Sequence, residues 1–219
     1  MIHSAILKQL GVSGPAQIRN IIFDLGNVLI DIDLNRTIEG FHKLGISNFD
    51  TLYSFEKQNE VFDRLEIGTI SDEDFRSYVR KHLPGTVADD AIDSAWAAML
   101  SDLPEYRVAM LRTLKTKYRL FLLSNTNAIH VRQFVADADR TYGKGIFDRL
   151  FEKTYYSNEI RLRKPNKDIF DFVIRDAGID PSQTLFIDDM RPNTEGARKA
   201  GLFSYCLEKQ TIAEVFNIV

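Results

Sequence analysis

The chain has 219 residues, of which 44% are hydrophobic and 27% are charged, and its formal net charge at pH 7 is -3. This composition is typical of a globular protein with one core, or one core and a sizeable insertion, and the even spread of Lys and Arg argues against a nucleic-acid partner. No apolar run approaches the roughly 20 residues that span a bilayer, which argues against a membrane partner.

The N-terminal sequence and the cysteine content favour a cytoplasmic location. The N-terminus has no basic region followed by a long apolar stretch, so it does not resemble a signal peptide. Cys206 is the only cysteine, which excludes a disulfide within one chain. Because Cys206 lies in an apolar run, we expect a buried structural thiol there. The sequence gives no indication of the oligomeric state.

Residues 1–17 are interpreted as an N-terminal extension, in which Ala5, Ile6 and Leu10 favour a short helix packed on the body of the protein. The first strand is predicted at residues 21–23, directly before Asp24. Residues 34–103 then show only helical periodicity. One helix is predicted to begin behind an N-cap at Ser71, and the apolar face of that helix would include His82, which we expect to be packed in a core.

The second half of the chain alternates strands with helices. Strands are predicted at residues 120–123, before Ser124, at 184–187, before Asp188, and more weakly at 153–156 and 203–207. One helix is predicted to carry Pro165 in its first turn and to end at Gly178, and a second to run from about residue 193 to 200. The sequence therefore predicts an α/β fold, with an open Rossmann-like parallel sheet in residues 18–33 and 104–219 and a helical cap, residues 34–103, inserted after the first strand.

Four polar groups fall where such a sheet binds ligands. Asp24, Ser124 and the pair Asp188 and Asp189 each follow a strand, and the carboxyl ends of neighbouring parallel strands form one crevice. Lys164 would reach the crevice from the start of its helix. A carboxylate can attack phosphorus, magnesium and a lysine can neutralise the charge, and a serine hydroxyl can hold phosphoryl oxygens.

Each of these groups alone has a simpler explanation. An Asp after a strand is usually a cap or turn residue, the Ser-Asn-Thr-Asn stretch is most often a turn, and a Lys-Pro pair usually precedes a helix. The Asp pair before Arg-Pro-Asn is compatible with an Asx-type turn. Their order along the chain and their shared position at strand ends favour the catalytic interpretation.

The sequence resembles the haloacid dehalogenase (HAD) superfamily over nearly its whole length. The resemblance is carried by residues 23–28 (FDLGNV), 122–127 (LLSNTN), 163–165 (RKP) and 186–189 (FIDD), with Asn193 and Gly196. The Gly26-Asn27 variant is similar to the α-D-glucose-1-phosphate phosphatase branch and to the phosphatase domain of soluble epoxide hydrolase.

This resemblance implies a Mg²⁺-dependent phosphatase that acts on small phosphorylated metabolites, including sugar 1-phosphates, through an aspartyl phosphate on Asp24. Magnesium would be held by the Asp24 carboxylate, the Gly26 carbonyl and Asp189, while Asp188 would act through water or orient Lys164. Ser124, Asn125 and Lys164 would bind the phosphate, and the cap would select the substrate. Glu66 and Arg36 are candidate selecting residues in that cap.

One position departs from the family pattern. Most phosphatases of the superfamily carry a second Asp two residues after the nucleophile, as general acid and base, and here that position is Gly26. Two alternatives therefore stay open: a catalytically degenerate binding or regulatory protein, and a 2-haloacid dehalogenase, which uses an aspartate nucleophile without a metal. The acids at positions 188 and 189 favour a metal site over the dehalogenase.

Overall fold

The protein is described by a computed structural model that covers residues 2–53, 60–208 and 210–217. These residues contain a parallel sheet of five strands, β1 (Asn20–Phe23), β2 (Arg119–Ser124), β3 (Lys153–Tyr156), β4 (Thr184–Asp188) and β5 (Phe203–Cys206). Their order across the sheet is β3-β2-β1-β4-β5. Strands β2 and β3 therefore lie on one side of β1, and β4 and β5 lie on the other side. The switch in strand order lies between β1 and β4.

Helices join the strands and pack around the sheet. In chain order they are α1 (Ser4–Gln9), α2 (Leu34–Leu44), α3 (Phe49–Leu52), α4 (Glu60–Glu66), α5 (Asp72–Arg80), α6 (Asp89–Ala97), α7 (Glu105–Lys115), α8 (Ala128–Tyr142), α9 (Ile146–Leu150), α10 (Ser157–Ile160), α11 (Lys167–Ala177), α12 (Arg191–Lys199) and α13 (Ile212–Val215).

The sheet is buried on both faces, which explains its apolar strands. All four residues of β1 and all five of β4 are buried. Within the register, Ile22 lies beside Phe121 on one side and Phe186 on the other. Continuous apolar runs of this kind are typical of parallel strands covered by helices on both sides. The predicted α/β fold with a parallel sheet is confirmed.

The helices between β1 and β2 form most of a second hydrophobic core, which also includes Ile129 of α8. Trp96 lies at its centre, with the ring of Phe75 at a centroid distance of 5.4 Å and that of Tyr53 at 4.9 Å. The predicted N-cap at Ser71 is confirmed, because its hydroxyl accepts from the backbone N–H of Asp74 in a capping box. We call residues 34–103 the helical insertion; their separation from the rest of the chain as a cap domain stays a prediction.

Three local predictions were wrong. His82 is exposed, because α5 ends at Arg80 and the chain turns away before Pro84. Pro165 lies outside α11, since Asn166 adopts the extended backbone of an N-cap and the helix begins at Lys167. Cys206 is half-buried rather than fully buried, and its thiol lies 3.4 Å from the carbonyl oxygen of Asp189.

The N-terminal extension packs on the main core, as predicted. Ile6 and Leu7 of α1 are buried in the same hydrophobic cluster as Ile21 of β1, whereas Ala5 is exposed. The backbone N–H of His3 donates to the carbonyl of Val215, 2.8 Å away, which ties the two ends of the described chain together. Within the described ranges, none of the helices has the length and apolarity needed to cross a bilayer.

Candidate active site

The predicted crevice forms at the carboxyl ends of β1, β2 and β4. Asp24 follows β1, Ser124 ends β2 and Asp188 ends β4, and all three are buried. Lys164 comes from the loop before α11 and is 2% exposed. Its Nζ donates to Oδ1 of Asp24 at 2.6 Å and to Oδ2 of Asp188 at 2.7 Å. Lys164 thus contacts both carboxylates, and Ser124 lines the same cavity as Asp24 and Lys164.

The two adjacent acids at the end of β4 have different surroundings. Asp188 is fully buried and accepts hydrogen bonds from Lys164, from the backbone N–H of Met190 and from the amide of Asn193. Asp189 is half-buried, and its Oδ2 accepts one hydrogen bond, 3.0 Å long, from the amide of Asn27. The more accessible carboxylate is therefore that of Asp189.

Asn27 was missed as a site residue, although it lies within the first motif. Its backbone is left-handed, with φ at 54°, a conformation that Asn tolerates better than most residues. This turn lets the side-chain amide donate to Asp189 while its carbonyl oxygen accepts from the backbone N–H of Ile32 at 3.1 Å. The Gly26-Asn27 pair in the sequence was the signal for such a turn.

The loop that carries Lys164 is held by two contacts. The side chain of Asn125 donates to the carbonyl of Lys164 and accepts from its N–H, both at 2.9 Å. On the other side, α12 approaches so closely that a Cβ on Gly196 would lie 2.2 Å from the carbonyl oxygen of Pro165. The amide group of Asn125 thus positions the backbone of Lys164, and phosphate binding by Asn125 stays a prediction.

Burial and charge together set the electrostatics of the cluster. Burial raises the pKa of Asp24 to about 7, with a smaller opposing effect from the Lys164 ammonium and further increases from the charges of Asp188 and Asp189. Burial also raises the pKa of Asp189. For Lys164, burial alone would lower the pKa, but Asp188 and Asp24 outweigh it and raise the pKa. Lys164 is therefore a stable cation among carboxylates that crowd one another.

The cluster fits a divalent cation. One oxygen from each of Asp24, Asp188 and Asp189 lies within 4.8 Å of the others. When all three carboxylates are ionised, they and the Lys164 ammonium leave two net negative charges, which a single divalent ion would neutralise. Magnesium prefers oxygen ligands and is usually bound by one or two carboxylates with several waters.

The cluster opens into a cavity of about 450 Å³, a size suited to a small molecule. Of the two candidate selecting residues, Glu66 lines this cavity, whereas Arg36 lies in a separate surface hollow beside Leu100. A role of Glu66 in substrate selection stays a prediction. His130 also lines the cavity and was missed. It is buried, its ring stacks on Trp96 at 4.8 Å, and burial lowers its pKa to about 4, so it is neutral at pH 7.

A model of the haloacid dehalogenase-like hydrolase family matches residues 18–201. The chain belongs to this family. The matched span contains β1 to β4, the helical insertion and every residue of the acid and lysine cluster. The predicted family is therefore confirmed, while the similarity to the glucose-1-phosphate branch stays a prediction.

Similar HAD-family proteins include enzymes with known ligands. D-ribitol-5-phosphate phosphatase from Bacteroides thetaiotaomicron is 30% identical over 188 residues, which cover 86% of this chain and 91% of that protein. The HAD family enzyme BT-2542 from the same organism, solved in complex with magnesium and inorganic phosphate, has a TM-score of 0.84 and 38% identity, covering 91% of this chain and 99% of that chain. A HAD-like family hydrolase from Porphyromonas gingivalis has a TM-score of 0.78 and 33% identity, covering 87% of this chain and 91% of that one.

Proposed function

We propose that this HAD-family hydrolase is a magnesium-dependent phosphatase that acts on small phosphorylated metabolites. The observation that carries the proposal is the cluster itself, in which Asp24 lies beside Lys164 and within reach of Asp188 and Asp189 at the floor of a cavity. Relatives that hydrolyse ribitol 5-phosphate, or that bind magnesium and phosphate, support the same chemistry.

In the proposed reaction, an Asp24 oxygen attacks phosphorus and the bond to the ester oxygen breaks, which gives an aspartyl phosphate and an alkoxide that takes its proton from solvent water. Water then attacks the same phosphorus and releases phosphate and the Asp24 carboxylate. Lys164 and the Ser124 hydroxyl hold the phosphoryl oxygens. Magnesium, held by Asp24, the Gly26 carbonyl and Asp189, would supply the counter-charge that an anionic nucleophile needs beside an anionic phosphate.

Turnover of a generic aryl phosphate tests the function class directly. We expect p-nitrophenyl phosphate to be hydrolysed in the presence of magnesium, and the activity to be lost on chelation and restored by added Mg²⁺. A dehalogenase would instead release halide from a 2-haloacid without a metal. A regulatory protein that has lost catalysis would bind phosphate without turning over either substrate.

The metal assignment makes a prediction about the two adjacent acids. Asp189→Asn should weaken magnesium binding more than Asp188→Asn, because Asp188 already accepts hydrogen bonds from Lys164, Met190 and Asn193. Magnesium titrations of activity for both variants would measure the difference. Melting temperatures would identify a variant that fails to fold, and an equal or reversed order in folded variants would contradict the assignment.

The missing acid at Gly26 makes a prediction about the leaving group. A positioned acid is typically worth about 10²–10⁴-fold, so without one the enzyme should favour esters whose leaving oxygen is weakly basic. We therefore propose a preference for anomeric sugar 1-phosphates over primary phosphates such as glucose 6-phosphate. Ribitol 5-phosphate, the substrate of the relative, is a primary phosphate. It is therefore the primary phosphate to compare with the sugar 1-phosphates.

Gly26→Asp tests this leaving-group argument, with Gly26→Ala as its control. A Cβ at this position would lie 3.2 Å from Cγ1 of Ile32, so both variants need the same small shift of that side chain. Relative to Gly26→Ala, Gly26→Asp should raise kcat/KM more for primary alkyl phosphates than for anomeric or aryl phosphates. Equal effects on both classes would indicate that another group already supplies the proton.

A further inference from the structure

His130 is a buried polar residue of the cavity that the proposed mechanism does not use. It lies in the first turn of α8, where the side chain of the N-cap residue Asn127 accepts from its backbone N–H at 3.1 Å. His130 is 7% exposed and lines the same cavity as Asp24 and Lys164. The turn from β2 into α8 therefore carries both Ser124 and an imidazole to the cavity wall.

One ring nitrogen of His130 is occupied by the helical insertion. Nε2 lies 3.2 Å from the carbonyl oxygen of Trp96, and the two rings stack with an interplanar angle of 26°. Because a carbonyl oxygen only accepts, Nε2 carries a proton and donates it to this bond. The same carbonyl, near the end of α6, also accepts from the hydroxyl of Thr37 at 3.0 Å. A hydrogen bond and a stacked ring therefore fix the orientation of the imidazole.

The other ring nitrogen, Nδ1, is a hydrogen-bond acceptor without a partner. Burial lowers the pKa of His130 to about 4, and the bond to Trp96 opposes this only in part, so the ring is neutral at pH 7. A neutral imidazole has one ring proton, which is on Nε2, so Nδ1 presents a lone pair. Within residues 2–53, 60–208 and 210–217, Nδ1 has no hydrogen-bond partner and is not among the fully buried unpartnered atoms. It is therefore open to the cavity that His130 lines.

The neighbours of His130 in the cavity wall make an unpaired acceptor costly. Met99 and Leu100 of the insertion line the cavity, and so does Phe134, one turn further along α8. A ligand that displaces water from Nδ1 must supply a donor, or the acceptor loses its hydrogen bond in partly apolar surroundings. Sites built to bond a hydroxyl group reject analogues that lack it far more strongly than apolar pockets reject analogues that lack a methylene.

The donor has to come from the part of the substrate that is not the phosphate. A phosphate monoester has its second pKa near 6, so at pH 7 to 8 its phosphoryl oxygens are mainly acceptors, as Nδ1 is. Neutral His130 is also a poor proton donor at this pH, so it does not replace the acid that is missing at Gly26.

We propose that Nδ1 of His130 accepts a hydrogen bond from a hydroxyl group on the non-phosphorylated part of the substrate, and thereby selects phosphorylated polyols and sugars over alkyl phosphates. This inference rests on the proposed phosphatase function and names its substrate class. His130 is a specificity-determining residue in this arrangement, and its hydrogen bond to Trp96 sets which nitrogen faces the substrate.

A matched pair of substrates measures this selection. Glucitol 6-phosphate and hexyl phosphate have the same primary phosphate ester and the same chain length, but only glucitol 6-phosphate has hydroxyl groups. The measured quantity is the ratio of kcat/KM for glucitol 6-phosphate to that for hexyl phosphate, compared between wild type and variants. Because both ratios contain the same two leaving groups, differences in leaving-group basicity cancel in the comparison.

Two variants separate the roles of the two ring nitrogens. The amide of His130→Asn reaches the place of Nδ1, so its oxygen still accepts, and Thr37 still bonds to the Trp96 carbonyl. The amide of His130→Gln reaches the place of Nε2, so it keeps the bond to Trp96 but loses the acceptor. We expect His130→Gln to lower the substrate ratio by about tenfold, and His130→Asn to keep the ratio within about threefold of wild type. The ratio is independent of the fraction of enzyme that folds.

The results that contradict the proposal differ from those that contradict the phosphatase function. A larger loss of the ratio in His130→Asn than in His130→Gln would mean that the bond to Trp96 is what matters. An equal loss in both variants, or no change in either, would also overturn the role of Nδ1. In each of these cases the phosphatase function stands if the wild type hydrolyses p-nitrophenyl phosphate. Absence of that turnover would overturn the proposed function itself.

A second measurement needs no substitution of His130 and serves if neither variant folds. The chain has four histidines, of which only His130 is buried. In Asp24→Asn with magnesium, saturating glucitol 6-phosphate should move the ¹⁵N resonance of Nδ1 of His130 upfield, as expected for a lone pair that gains a hydrogen bond. Saturating hexyl phosphate should move this resonance less. Equal shifts with both compounds, or no shift with glucitol 6-phosphate, would overturn the proposal.

Discussion

Asp24→Asn should lower the turnover of an aryl phosphate by at least about 10³-fold, because an amide cannot attack phosphorus to form the acyl phosphate. The neighbouring acids are poorly placed to substitute for it. Asp188 is held by Lys164 and Asn193, and Asp189 is held by Asn27. Steady-state kinetics at saturating magnesium, with matched preparations of both proteins, would measure the loss.

The stability of the same variant provides the control. Burial raises the folded-state pKa of Asp24 to about 7 from its ordinary value of 3.8, so the folded protein disfavours the ionised form. Wild-type stability in metal-free buffer should therefore fall as the pH rises from about 4 to 7, and stay low above that range. Asn has no such charge, so the variant should melt at the same temperature as wild type near pH 4 and at a higher temperature at pH 8.

This combination separates a chemical defect from a folding defect. Loss of activity with a gain in stability is the signature of a group kept for its reaction rather than for its contribution to folding. A loss of activity of less than about tenfold would contradict covalent catalysis by Asp24. A variant that melts below wild type at pH 8 would instead mean that the ion pair with Lys164 outweighs the cost of burying the carboxylate.

The arrangement of the acids could be predicted because it depends on strand ends. Short apolar runs followed at once by Asp24, Ser124 and Asp188 indicate parallel strands, and parallel strands bring their carboxyl ends to one edge. The position of each functional group then follows from its place in the chain. Lys164 was predicted to reach this edge from the start of a helix, and it does contact Asp24, although the helix begins two residues later than predicted.

The contacts around those groups could not be predicted in the same way. The hydrogen bonds between Asn125 and the backbone of Lys164, and the ion pair between Arg163 and Glu66, join residues that are far apart in the chain and depend on how loops pack. Periodicity also failed at the end of a helix: His82 continues the apolar spacing of α5, but the chain leaves the helix after Arg80 and exposes it. The spacing of apolar residues predicts the buried face of a helix only for residues that belong to the helix.

The second large effect is expected at Lys164, the only cation that contacts both Asp24 and Asp188 among the described residues. Lys164→Met keeps most of the side-chain volume but removes the ammonium, which leaves two buried carboxylates without their shared partner. Breaking a buried ion pair in this way costs about 3–5 kcal/mol. Turnover should also fall by about 10²–10³-fold, since a fixed charge beside the phosphoryl oxygens is lost.

Urea unfolding of Lys164→Met with and without magnesium would measure this cost, with Lys167→Met as the matched control. Lys167 lies three residues along the chain and pairs with Asp171, but both side chains are about half exposed, so its removal should cost less than about 1 kcal/mol. Magnesium should restore more stability to Lys164→Met than to wild type, because a bound cation replaces part of the missing charge and binds only the folded protein. Two results would contradict the metal-binding charge cluster proposed above. One is an equal loss of stability in both lysine variants, and the other is a stabilisation of Lys164→Met by magnesium that is no larger than that of wild type.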